Sequence, residues 1–245
     1  MDFSDGCTLC HSELDLRLLS TDAAPDDLLI SVAHDPYDHW APHQWAALWR
    51  QFAPRLIALV ADRAADPGLV LRSLGPLYGN LRTWPDDERR AIEDALTALL
   101  LDALAHWPSG ALVELLGGLA STDDDLAPWL ARIDAAPGAA AAGGVVRLAF
   151  HWAVDLLWGE ESWFDWWYPD DPEALVREWT SRAMGRVERF AEAHPGCKTA
   201  RDALVARDHL ERGEQSPWIY PSWAGYQWEQ RGLPRGFGYP EPRNT

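Results

Sequence analysis

Apolar side chains recur along this chain with the period of a helix. Ile92, Leu96, Leu99, Leu100, Ala103 and Trp107 fall at offsets 0, 4, 7, 8, 11 and 15, one face of a 3.6-residue repeat. Pro85 followed by Asp86, Asp87 and Glu88 signals the start, with acids against the positive end of the dipole, and Pro108 signals the stop. The pattern predicts a helix over Asp86–Trp107. A second strong helix runs from Asp171-Pro172 to about Glu192, with Val176, Trp179, Ala183, Val187 and Phe190 on one face. Pro195-Gly196 breaks the chain, and a further helix over Thr199–Arg212 ends at Gly213.

Pro42–Arg63 reads as a helix with Trp45, Trp49 and Leu56 inward and a bend at Pro54. Gly68–Gly79, Gly110–Ala120, Asp123–Ala135 and Val145–Trp158 read as shorter helices, with Ser121-Thr122-Asp123 as a cap cluster before Leu126 and Trp129. No alternating β-rich run with hairpin turns occurs. The expectation is an all-α fold of roughly eight helices, as a bundle or an irregular HEAT-like α-solenoid. Residues 1–212 are read as a single all-α domain. Pro137-Gly138 through Gly143-Gly144 is read as a surface loop and candidate hinge.

After Gly213 the chain changes character. Residues 213–245 are rich in Pro, Gly and aromatics, without helical period, and Trp218, Trp223 and Trp228 are spaced by five. This density of rings predicts a C-terminal tail docked on the body, or on a neighbouring subunit of a homo-oligomer, since each buried ring removes on the order of 150–250 Å² from water.

Charge then narrows the partners. Net charge is −17. Residues 1–40 carry nine carboxylates against Arg17 alone, a net of −8, whereas residues 213–245 balance three acids against three arginines. Such a surface repels nucleic acid and anionic lipid and attracts a basic protein partner. Lys198 is the single lysine among 21 basic residues, which points to a high-GC, bacterial genome rather than to a function of arginine. No apolar run of membrane-spanning length and no secretory leader is expected, so a cytoplasmic, reducing location follows as the expectation.

In that setting the three cysteines read as thiols or metal ligands rather than disulfides. Cys7-x-x-Cys10 has the spacing of half a tetrahedral zinc site, and His194-Pro-Gly-Cys197 supplies an imidazole and the remaining thiol, with His11 as an alternative fourth ligand. The set predicts one structural zinc and demands that Cys7 and Cys197 be neighbours. Cys7-Thr-Leu-Cys10-His11 also matches c-type haem attachment, which the lack of an export signal disfavours, and a redox pair, which the lack of a βαβ pattern disfavours.

Two further clusters stand out. His34, Asp35, Asp38, His39 and His43 crowd one proline-rich connector, read first as a polar loop and second as a metal or acid–base cluster. Trp163, Trp166 and Trp167 alternate with Glu160, Glu161 and Asp165, a set suited to stacking on a sugar or cation beside an acid pair. No phosphate-binding loop, dinucleotide fingerprint, G-x-S-x-G, H-E-x-x-H or EF-hand pattern occurs. The leading expectation is a non-catalytic acidic interaction protein that holds a protein partner through aromatic surface (Trp163, Trp166, Trp167, Trp218, Trp223, Trp228). The rival is an all-α enzyme or a small-ligand or carbohydrate-binding module around Glu160, Glu161 and Asp165.

Overall fold

A computed structural model describes residue 3 and residues 6–21, 23–158 and 172–218. The described residues are all-helical, with ten α-helices and no strand. They fall into two compact units, Met1–Leu99 with Leu115–Leu126, and Leu100–Glu114 with Ala127–Thr245.

The first unit begins with α1 (Glu13–Leu19) and α2 (Asp26–Ala33), which the apolar periodicity did not predict. They are short, and their start signals are polar. Ser12 and Asp15 form a reciprocal cap, each side chain accepting from the other's backbone N–H. The Ser12 hydrogen bonds hold the Asp15 carboxyl below its ordinary range. Pro25 precedes α2, and Asp26 and Asp27 occupy its first turn. The main apolar element is α3 (Pro42–Ala61), which buries Trp45, Leu48, Trp49, Phe52, Leu56 and Val60. Helix α3 continues through Pro54, which sits on its exposed face. Only Pro67–Arg72 (α4) of the expected Gly68–Gly79 helix is helical. The rest turns through Gly75-Pro76 to Asn80, which takes the left-handed conformation at φ 45°. Ser73, at the end of α4, donates to the Ala33 carbonyl at the end of α2.

Helix α5 spans Asp86–His106, and its predicted stripe is buried: Ile92, Leu96, Leu99, Leu100, Ala103, and Trp107 just beyond. Helix α6 (Ser109–Asp123) contains the residues expected to cap α7 (Ala127–Ala135). The Ser121 and Thr122 hydroxyls instead donate back to the Gly117 and Leu119 carbonyls within the last turns of α6.

In the second unit, α8 (Gly138–Trp158), α9 (Pro172–Ala193) and α10 (Lys198–Arg212) pack on one another in all three pairings. α9 and α10 match their predicted spans, and α10 stops at Gly213 with φ 64°. The expected Pro137–Gly144 loop is the first two turns of α8. One of its glycines serves close packing: a Cβ on Gly144 would lie 1.8 Å from the Leu104 carbonyl oxygen. With those turns included, α8 is the one described helix long and apolar enough to cross a membrane, and most of it is buried, as in a core helix. Trp218 is buried, in an edge-to-face contact with Phe150 of α8 at 5.3 Å between ring centroids.

Adjacent glycines in α8 give opposite expectations. Gly144→Ala must push two backbones apart and should cost about 3 kcal/mol. Gly143→Ala meets nothing closer than 3.7 Å and should gain up to about 1 kcal/mol from helix propensity. Denaturant midpoints of the two variants, moving in opposite directions, check this.

Candidate metal centre

The N-terminal segment turns tightly after Cys7, whose carbonyl accepts from the N–H groups of Cys10 and His11. This turn places Cys10 Sγ 3.0 Å from His39 Nδ1. His39 closes the 3₁₀ turn Tyr37–His39 between α2 and α3. Ligand atoms of Cys7, Cys10 and His39 all lie within 4.8 Å of one another. Tetrahedral zinc with bonds of about 2.0–2.3 Å separates its ligand atoms by about 3.5–3.8 Å, so this set needs only small adjustments to close on one ion.

The scaffold behind these groups is a buried carboxylate. Asp35 Oδ2 lies 2.6 Å from His11 Nε2 and accepts from Trp40 Nε1 at 2.8 Å. His11, Asp35 and Trp40 are all buried. His11 follows Cys10 in sequence and Trp40 follows His39, so the neighbours of two of the three candidate ligands end on the same oxygen. Trp40 also meets Phe3 edge-on at 6.3 Å and Trp45 of α3 at 6.0 Å. Gly6 lies against the Trp40 ring, where a Cβ would approach to 2.5 Å. Phe3 N–H donates to Ser20 Oγ, tying the segment to the end of α1.

The chemistry of the donors fits a soft divalent metal. Without metal, the Cys10 thiol is pushed up to about 11 by its hydrogen bond with Cys7, by desolvation and by the Asp35 charge. A thiol held neutral in this way is a poor nucleophile and a poor redox group. Two sulfurs and an imidazole are a familiar zinc donor set, and three protein ligands leave a fourth position for water or another donor.

The expected ligands are thus partly joined. Cys7 and Cys10 come together, and the third donor beside them is His39, from the histidine-rich connector. His11 sits next to the group with its Nε2 on Asp35, and the three donors that lie within 4.8 Å of one another do not include it. His194 and Cys197 belong to the second unit, where His194 stacks on Phe190 at 4.2 Å. Of the other expected site residues, Trp218 is packed on Phe150, whereas Glu160, Glu161, Trp163, Asp165, Trp166, Trp167, Trp223 and Trp228 lie outside the described residues. The pairing of Cys10 with His39 spans 29 positions. Its only signal in the sequence is that two donor-rich segments flank one short helical pair.

No protein family matches this chain, and neither a curated protein nor a solved structure does.

Asp35 carries the scaffold, so its removal should be felt there. Asp35→Ala leaves the His11 ring and Trp40 indole buried without their acceptor and should cost about 2–4 kcal/mol. Urea titration followed by tryptophan fluorescence measures this. A midpoint equal to wild type would mean that the carboxylate does not hold the segment.

Proposed function

We propose that the first unit is a protein-interaction module whose N-terminal segment is stapled by zinc at Cys7, Cys10 and His39. The convergence of these three donors over one buried carboxylate supports this reading. The ion would cross-link a short turn to the α2–α3 connector, which suits a segment with little core of its own. His39 supplies the imidazole, so the reading does not require His194 or Cys197.

The turn between the two thiols carries Leu9, which is 94% exposed, and Leu14 on α1 is 64% exposed. An apolar tip on a rigid knuckle, set in a segment of net charge −8, suits a basic protein partner with an apolar pocket. Packing of α8, α9 and α10 in all three pairings favours a closed bundle in the second unit over neighbour-only stacking of a solenoid.

Purified full-length protein supplied with zinc should hold about one equivalent. Cobalt in its place should give thiolate-to-metal absorption that Cys10→Ser and His39→Ala each abolish. Absence of bound metal, or wild-type content in both variants, overturns the staple. The interaction half is read separately: a protein recovered with wild type but lost with Leu9→Asp supports it, and identical recovery by both sinks it.

A further inference from the structure

The second unit brings a serine, a histidine and an aspartate into contact. Ser109 Oγ lies 3.2 Å from His151 Nδ1, and His151 Nε2 lies 3.5 Å from Asp155 Oδ2. Ser109 is the first residue of α6; His151 and Asp155 stand one turn apart on α8. Arg147, one turn earlier, donates to the Leu104 and Ala105 carbonyls at the end of α5. That contact fixes the rotation of α8, so the next turn faces the start of α6. Arg147, His151 and Asp155 thus form a polar line along a helix that is otherwise almost wholly apolar.

We propose that Ser109, His151 and Asp155 form a nucleophilic acyl-transfer site that hydrolyses carboxylic esters. This goes beyond the metal-stapled reading and is independent of it, since every residue lies in the second unit. Three observations carry the assignment. The hydroxyl and the ring nitrogen are within hydrogen-bond reach. The opposite nitrogen faces a buried carboxylate, Asp155 at 5% side-chain exposure, which orients the ring. Ser109 begins a helix, so the N–H groups of Ser109, Gly110 and Ala111 have no intrahelical acceptor. They and the α6 dipole point positive charge to the side where an oxyanion would form. Ser109 and His151 are each part-exposed.

In the tautomer with the proton on Nε2, Nδ1 accepts from the Ser109 hydroxyl and N–H faces Asp155. Oγ attacks the ester carbonyl carbon as its proton passes to Nδ1, and the carbonyl oxygen becomes an oxyanion against the α6 N–H groups. Collapse breaks the carbon–oxygen bond to the alcohol, which leaves with the proton from Nδ1. Water then adds to the acyl-serine by the same route, releasing the carboxylic acid and restoring Ser109. The net reaction is ester plus water to acid plus alcohol. The strong negative charge of the chain favours neutral or cationic esters.

The test uses the full chain and a fluorophosphonate, which bonds covalently to an activated serine, with p-nitrophenyl acetate hydrolysis measured in parallel. Peptide mass mapping should place one adduct on Ser109. Ser109→Ala should lose both adduct and turnover, and His151→Gln should slow labelling by about a hundredfold or more. No adduct, an adduct on another residue, or wild-type labelling of His151→Gln overturns the proposal. Should Ser109→Ala fail to fold by circular dichroism, adduct mapping on wild type and the His151→Gln rate still decide. Chelator treatment that strips metal leaves the labelling unchanged if the two sites are independent.

Discussion

A carboxylate buried between two aromatic systems must be paired, and Asp35 meets that demand by taking both the His11 ring and the Trp40 indole on one oxygen. The arrangement of the first unit's N-terminal segment follows from this. His11 and Trp40 are the residues after Cys10 and His39, so satisfying Asp35 draws two distant stretches of backbone together. Cys10 and His39 are therefore placed by a hydrogen-bond requirement one residue away from them. This is the role that outer hydrogen bonds play around metal ligands elsewhere, here performed through the chain rather than on the ligands themselves. Aromatic packing of Trp40 on Phe3, Trp45 and Gly6 then shields the pair from water and strengthens it.

The second unit works from a different constraint, the close approach of helix backbones. Gly144 lets α8 touch the Leu104 carbonyl, and Arg147 caps that same carbonyl three residues later. Burial pulls the Arg147 pKa down, the cost of placing a guanidinium there, and its carbonyl partners offset part of it. Once both contacts are made, helical spacing alone determines which residues face the start of α6. The serine–histidine contact is thus a geometric result of packing decided one turn away.

Long amphipathic helices with polar caps were the most legible part of the sequence. α5 and α9 declare their buried faces by periodicity, and α5, α9 and α10 their ends by Pro, Asp and Gly. α1 was missed because seven residues show little period, although its Ser12–Asp15 cap was readable. The small residues of Gly138–Gly144 look like a loop when counted by composition, yet they form the start of α8, where Gly144 packs onto Leu104. Ser121 and Thr122 mimic a helix start, and only the competing carbonyls of α6 decide otherwise. Two of the three candidate donors, Cys7 and Cys10, were legible by spacing. His39 was not, because its partner across 29 positions is chosen by Asp35, whose burial no local pattern reveals. The spacing of Arg147, His151 and Asp155 at every fourth position was visible, but its meaning required Ser109, which comes from another helix.

The polar line on α8 also bears on how the protein is made. While the ribosome is still producing α9 and α10, α8 has been synthesised without the helices that cover it, and it has the length and apolarity of a membrane span. Arg147 lies at the middle of the helix, where the insertion machinery charges a penalty of roughly 2.5–3.5 kcal/mol for such a residue. A fully apolar version would be a good substrate for the membrane. The guanidinium that caps α5 is thus also the group that makes an isolated α8 costly to place in a bilayer.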